Sequence, residues 1–81
     1  MTELDAKGET KMIQIRIFDR DTIKIIEAHE GDTIEQAIKI LSQWSQDGDR
    51  FESYPYQGKH SVYIRESGSL ELSDIHAVIV D

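Results

Sequence analysis

The chain has 81 residues and a mass of 9.3 kDa, enough for one hydrophobic core and too little for two. Sixteen acidic residues against nine basic ones leave a formal charge of −7, which repels phosphate backbones and argues against general nucleic-acid binding. The absence of cysteine excludes disulfides and thiolate metal centres, so packing must supply the stability.

Residues 1–10 (MTELDAKGET) mix charge with one glycine and show no apolar period, and a flexible tail is expected there, with a single domain over 11–81. No apolar run approaches bilayer length, and the polar start lacks the basic and hydrophobic regions of a signal peptide; a cytoplasmic location is expected. From Met12 the pattern changes. Ile13, Ile15 and Ile17 alternate with Gln14, Arg16 and Phe18, putting three β-branched residues on one face of a strand. Asp19-Arg20-Asp21 forms a polar turn, and Thr22–Ala28 returns as the second strand of a hairpin, with the adjacent Ile25 and Ile26 signalling a bulge.

A helix start follows at Asp32-Thr33, where Thr33 and Gln36 best fit a capping box. Ile34, Ala37, Ile38, Leu41 and Ser45 share one stripe, with Ile40 and Trp44 at its margin and Glu35, Gln36, Lys39 and Gln43 facing away. Gly48 suits a left-handed helix stop, and the stretch Arg50 to Gly58, with Pro55 and three aromatic residues but no clear period, is expected to be an ordered loop. Ser61–Arg65 reads as a third strand, Ser67-Gly68-Ser69 as a turn, Leu70–Leu72 as a short strand and Ile75–Val80 as the last strand, placed centrally so that Ile75, Ala77 and Ile79 reach the helix.

That order, with one helix across a mixed sheet of four to five strands, predicts an α+β fold of β-grasp type. Met12-Ile13-Gln14-Ile15, Thr22-Ile23-Lys24-Ile25 and above all Asp32-Thr33-Ile34-Glu35-Gln36 resemble the first strand, second strand and helix entry of the ubiquitin-like family. Leu72-Ser73-Asp74 and Ile75-His76-Ala77-Val78 are similar to its last turn and final strand, whereas Trp44 to His60 has no counterpart. The chain printed here ends at Asp81 without the Gly-Gly that conjugation and sulfur-carrier chemistry require, so the resemblance implies docking and not conjugation.

Chemistry-bearing patterns are sparse. His29, His60 and His76 lack metal-ligand spacing, Asp47-Gly48-Asp49 lacks the alternating ligands of a calcium loop, Ser67-Gly68-Ser69 is no nucleophile elbow, and Gly31-Asp32 puts an acid where an anion would bind. No catalytic residue, cofactor or metal is expected. Phe51, Tyr54, Tyr56 and Tyr63, with Trp44 upstream, suit either a binding surface or a loop pinned by its own rings. Arg16 and Phe18, Tyr63 and Arg65, and His76, Val78 and Val80 should all point away from the helix. The family resemblance places partner docking on that open face, at the positions matched by His76 and Val78.

The leading expectation is therefore a non-catalytic protein-interaction module that binds another protein through Phe18, Tyr63, Arg65, His76, Val78 and Val80. Val78 and Val80 beside Tyr63 would form an exposed apolar patch, available for a homodimer; neither direct nucleic-acid nor membrane contact is expected. The alternative is a small acidic inhibitor, of the kind made by phages or mobile elements, whose carboxylates imitate DNA phosphates; clustering of Asp19, Asp21, Glu27, Glu30 and Asp32 on one edge would favour it.

Overall fold

The computed structural model describes residues 11–56 and 58–80; the expected tail at residues 1–10 lies outside them. β1 (Met12–Asp19) and β2 (Thr22–Glu30) form the expected hairpin. Asp19 pairs with Thr22, leaving Arg20 and Asp21 as a two-residue loop in which Arg20 adopts a positive φ of 60°. The bulge falls where two adjacent isoleucines announce it. Ile15 pairs with Glu27 and Arg16 with Ile25, so Ile26 is the extra residue.

Gly31 makes the exit from β2. Its backbone N–H donates to the Lys11 carbonyl at 3.1 Å, and a Cβ at this position would lie 2.6 Å from Ile13 Cδ1 and 3.1 Å from Gln36 Oε1, so only glycine fits without displacing its neighbours. The helix α1 (Ile34–Leu41) opens with the capping box: the Thr33 hydroxyl accepts from the Gln36 backbone N–H at 3.1 Å, while Gln36 Oε1 accepts from the Thr33 N–H. A 3₁₀ turn (Ser42–Trp44) continues it. Ala37 and Leu41 are fully buried, and Ile34, Ile38, Ile40 and Trp44 pack around them at partial exposure.

The stretch Arg50–Tyr56 is a strand, β3, and not a loop; it pairs antiparallel with β4 (Lys59–Arg65), which pairs with β5 (Leu72–Val80). The expected short strand at Leu70–Leu72 is instead the approach to β5, whose first residue is Leu72. β5 does lie in the centre, in a five-stranded sheet of order β2-β1-β5-β4-β3.

Every neighbouring pair is antiparallel, β1 and β5 included, which corrects the expected mixed sheet. The physical reason is parity. α1 carries the chain back across the sheet after β2, so the first strand after it runs alongside β2 in direction. Were Arg50–Tyr56 a loop, two strands would remain after the helix and the last would run parallel to β1; the additional reversal at β3 makes it antiparallel. The molecule is thus an α+β fold: a hairpin, a helical crossover and a three-stranded meander, with the helix over β4 and β5.

Cross-strand partners share a face of a sheet. Ile13, Ile15, Val62, Ile64, Ala77 and Ile79 therefore meet the helix stripe to form the core. Each fully buried isoleucine, leucine or valine contributes roughly 1.5–3 kcal/mol, which the ordering of the chain largely offsets.

Candidate functional site

The face opposite the helix is built by the other set of alternating residues. Arg16 pairs with His76 and His76 with Tyr63; Gln14 pairs with Val78 and Val78 with Ser61; Tyr63 lies opposite Glu52. A row of rings crosses four strands here. Phe18 and His76 stack with centroids 4.7 Å apart and planes 22° from parallel, His76 and Tyr63 stack at 5.0 Å and 17°, and Tyr54 joins Tyr63 at 6.2 Å in a tilted pair. The two stacked separations match the spacing of neighbouring strands, about 4.7–4.9 Å: Phe18, His76 and Tyr63 stand side by side, each covering its neighbour's face, and Tyr54 leans against the end of the row.

That arrangement decides what the row can do. His76 is fully buried, its two ring faces taken by Phe18 and Tyr63. A platform for nucleobases needs free ring faces, and the stacked interior of this row has none. Burial pushes the His76 imidazole below its ordinary range, with the neighbouring Arg16 charge acting in the same direction and the backbone contact from Nδ1 to the Asp74 carbonyl, at 3.2 Å, acting against it. Its Nε2 and the Ser61 hydroxyl are buried without a hydrogen-bond partner among the described residues.

At the β3 end, Arg65 grips Glu52 through two contacts, Nε to Oε2 at 2.5 Å and Nη2 to Oε1 at 2.9 Å, and donates from Nη1 to the Leu70 carbonyl at 2.9 Å. The guanidinium hydrogen bonds first, then the Tyr54 hydroxyl donating to the same carboxylate, hold the Glu52 carboxyl down at about 2. At the β1 end, Arg16 donates from Nε and Nη2 to the Gln14 side-chain carbonyl at 3.1 and 2.6 Å, and meets no carboxylate among the described residues.

The structure places the six sequence-predicted residues on this one face but does not leave them equally available. Phe18 is exposed, Tyr63, Arg65 and Val80 are half-buried, and His76 and Val78 are fully buried. The expected exposed patch of Val78 and Val80 beside Tyr63 is therefore corrected, because Val78 has no accessible surface.

The exposed apolar residues lie elsewhere on the same side. Ile23 pairs with Phe18 and Ile25 with Arg16, so both share the open face; Ile23 is 37% exposed, Ile25 55% and the bulged Ile26 44%. β2 is amphipathic in the opposite sense to β1. On its helix side it carries Lys24, Glu27 and His29, with Gln43 donating to Glu27 at 3.4 Å from below and His29 bonded to Glu27 at 2.8 Å. The two-residue hairpin loop sets the first part of this inversion, since the Asp19–Thr22 pairing already sends Ile23 and Ile25 to the open face; the bulge at Ile26 then puts Glu27 and His29 on the helix side.

Neither edge of the sheet invites another strand. β2 is bent by its bulge and carries an ion pair from Lys24 to Asp19 at 2.9 Å, while β3 contains Pro55. Of the expected acidic positions, Asp19 ends β1, Asp21 lies in the hairpin loop, Glu27 and Glu30 are on β2 and Asp32 is just beyond it, so all five follow the β2 side of the sheet. No group of three or more His, Asp or Glu side chains is gathered as a metal site among the described residues. Comparison with protein-family models, curated proteins and solved structures finds no match for this chain.

Proposed function

We propose that this protein is a non-catalytic interaction module that docks another protein on the open face of its sheet, centred on the β1–β2 half. The observation that carries this reading is the apolar group Phe18, Ile23 and Ile25, which turns away from the core on the same face as Arg16, the cross-strand partner of Ile25. An apolar centre with an aromatic residue and an arginine is the composition of interface hot spots. Tyr63 and Val80 extend the surface across β4 and β5, and Arg65, held by Glu52, forms its polar border. The local likeness of the hairpin and helix entry to the ubiquitin-like β-grasp supports docking through a sheet face, and a cytoplasmic location accords with it.

The test is capture of partners by the tagged 81-residue chain, followed by affinity measurement with the purified partner. Phe18→Ala and Ile25→Asp should each weaken binding at least tenfold while leaving far-UV circular dichroism unchanged. The second reading, an acidic mimic of DNA phosphates, has its own observation in the five carboxylates along the β2 edge. Two of these are already engaged, Asp19 with Lys24 and Glu27 with His29. Reversal of Asp21 and Glu30 discriminates: binding that survives both face variants but fails on charge reversal, with steep salt dependence, overturns the first reading in favour of the second.

A further inference from the structure

The helix is too short for the sheet it covers. Its eight residues rise about 12 Å and the 3₁₀ turn adds about 6 Å, against about 30 Å for the nine residues of β5. α1 starts beside the Met12 end of β1, so the uncovered part of the sheet's helix side lies at the Ile17 end. A groove of about 300 Å³ opens there, with Ile17, Ile64 and Ile75 as its floor, Trp44 on one wall, and Glu66 and Asp74 at its mouth.

Three properties of this groove point to one kind of occupant. The floor is apolar and comes from three adjacent strands. Trp44 is only partly buried against the core and enters no ring pair and no cation contact among the described residues, so no aromatic ring or cation there competes for its indole. The carboxylates of Glu66 and Asp74 are exposed and take part in no hydrogen bond or ion pair among the described residues, whereas the nearby Asp49 is occupied by the backbone N–H groups of Gln46 and Ser67. Ser73 is also engaged, its hydroxyl donating to the Ile75 carbonyl at 2.6 Å. An apolar stem with a cationic head satisfies all of these surfaces together: methylenes on the isoleucines, the cation over the indole and between the carboxylates.

We infer that the Trp44 groove receives a single aliphatic cation, the side chain of a lysine presented by a basic segment of a partner protein. Its volume is at the low end for a ligand pocket, which suits one side chain. The site is separate from the open sheet face and does not depend on the function proposed for that face.

Trp44 is the sole tryptophan of the chain, so its fluorescence reports occupancy directly. The full chain is titrated with 1-aminopentane, and in parallel with pentan-1-ol and pentanoate, which keep the stem and remove or reverse the charge. The amine should give a saturable spectral change with a midpoint at least tenfold below that of the alcohol, and pentanoate should give none. Glu66→Gln combined with Asp74→Asn should raise the amine midpoint about tenfold without altering the urea midpoint, and Nα-acetyl-lysine amide should compete. Equal midpoints for amine and alcohol, or a non-saturable response to the amine, overturn the inference on the unmodified protein alone; an unaltered amine midpoint in a folded double variant overturns the role of the carboxylates.

Discussion

A histidine in the middle of a stacked row of rings is an unusual choice for a fully buried position. Its Nε2 has no hydrogen-bond partner among the described residues and its positive neighbour is Arg16 on the adjacent strand, so protonation would put a second cation into a site already closed by Phe18 and Tyr63. The consequence for stability has a definite sign. In the unfolded chain His76 titrates near 6.5, and in the folded protein below that value, with burial as the main cause. Between the two values the unfolded chain holds a proton that the folded one does not, so stability is complete above the unfolded value and declines as pH falls below it. Urea unfolding at pH 7.5 and pH 5.0 should show a lower midpoint at the acid pH, and His76→Phe should remove part of the difference. An unchanged difference in that variant would show that the acid sensitivity lies elsewhere.

At the scale of elements, the sequence was most legible where backbone chemistry is local. The Thr33-Gln36 box and the bulge at Ile26 each follow from a few neighbouring residues, and each is present; Gly48 is left-handed, but the helical segment has already closed at Ser45, so it shapes the turn before β3 and is not the expected helix stop. β3 was illegible for an equally local reason. In Arg50–Tyr56 only Phe51 gives the core a large apolar side chain, Ser53 follows on the same side, and Pro55 is a residue that strands admit mainly at edges. An edge strand needs no continuous apolar face, so its pattern resembles a loop. Gly31 shows the opposite case, in which a residue that reads as punctuation is fixed by tertiary contact. Gly31→Ala would drive a methyl into Ile13, which is fully buried, and into the carbonyl of the capping-box Gln36. It should cost roughly 1–3 kcal/mol, the usual range for overpacking. Chemical denaturation measures this, and a cost near zero would mean that the β2–α1 junction relaxes freely.

For the whole molecule, one misread strand reversed the direction of the last strand relative to the first, and strand position put the exposed apolar surface on the edge strand β2 and not on the central β5. Alternation correctly sent Phe18, Tyr63, His76 and Val78 to the face opposite the helix, yet pointing away from the helix is not the same as being exposed. A central position between β1 and β4, flanked by Gln14 and Ser61, buries Val78; an edge position leaves Ile25 open. Two substitutions of identical chemistry on the same face should therefore separate folding from binding. Val78→Asp puts a carboxylate where no water reaches and should cost several kcal/mol, enough to unfold much of a domain whose total stability is of the order of 5–15 kcal/mol. Ile25→Asp places the same group at a half-solvated edge, where a strand tolerates it for about 1 kcal/mol or less, and it should leave the fold intact while abolishing partner contact. Thermal melts of the two proteins side by side check the first half of this statement without any knowledge of the partner. If Val78→Asp melts like the parent chain, the centre of the open face is accessible after all, and the docking surface extends over β5 instead of stopping at the β1–β2 hairpin.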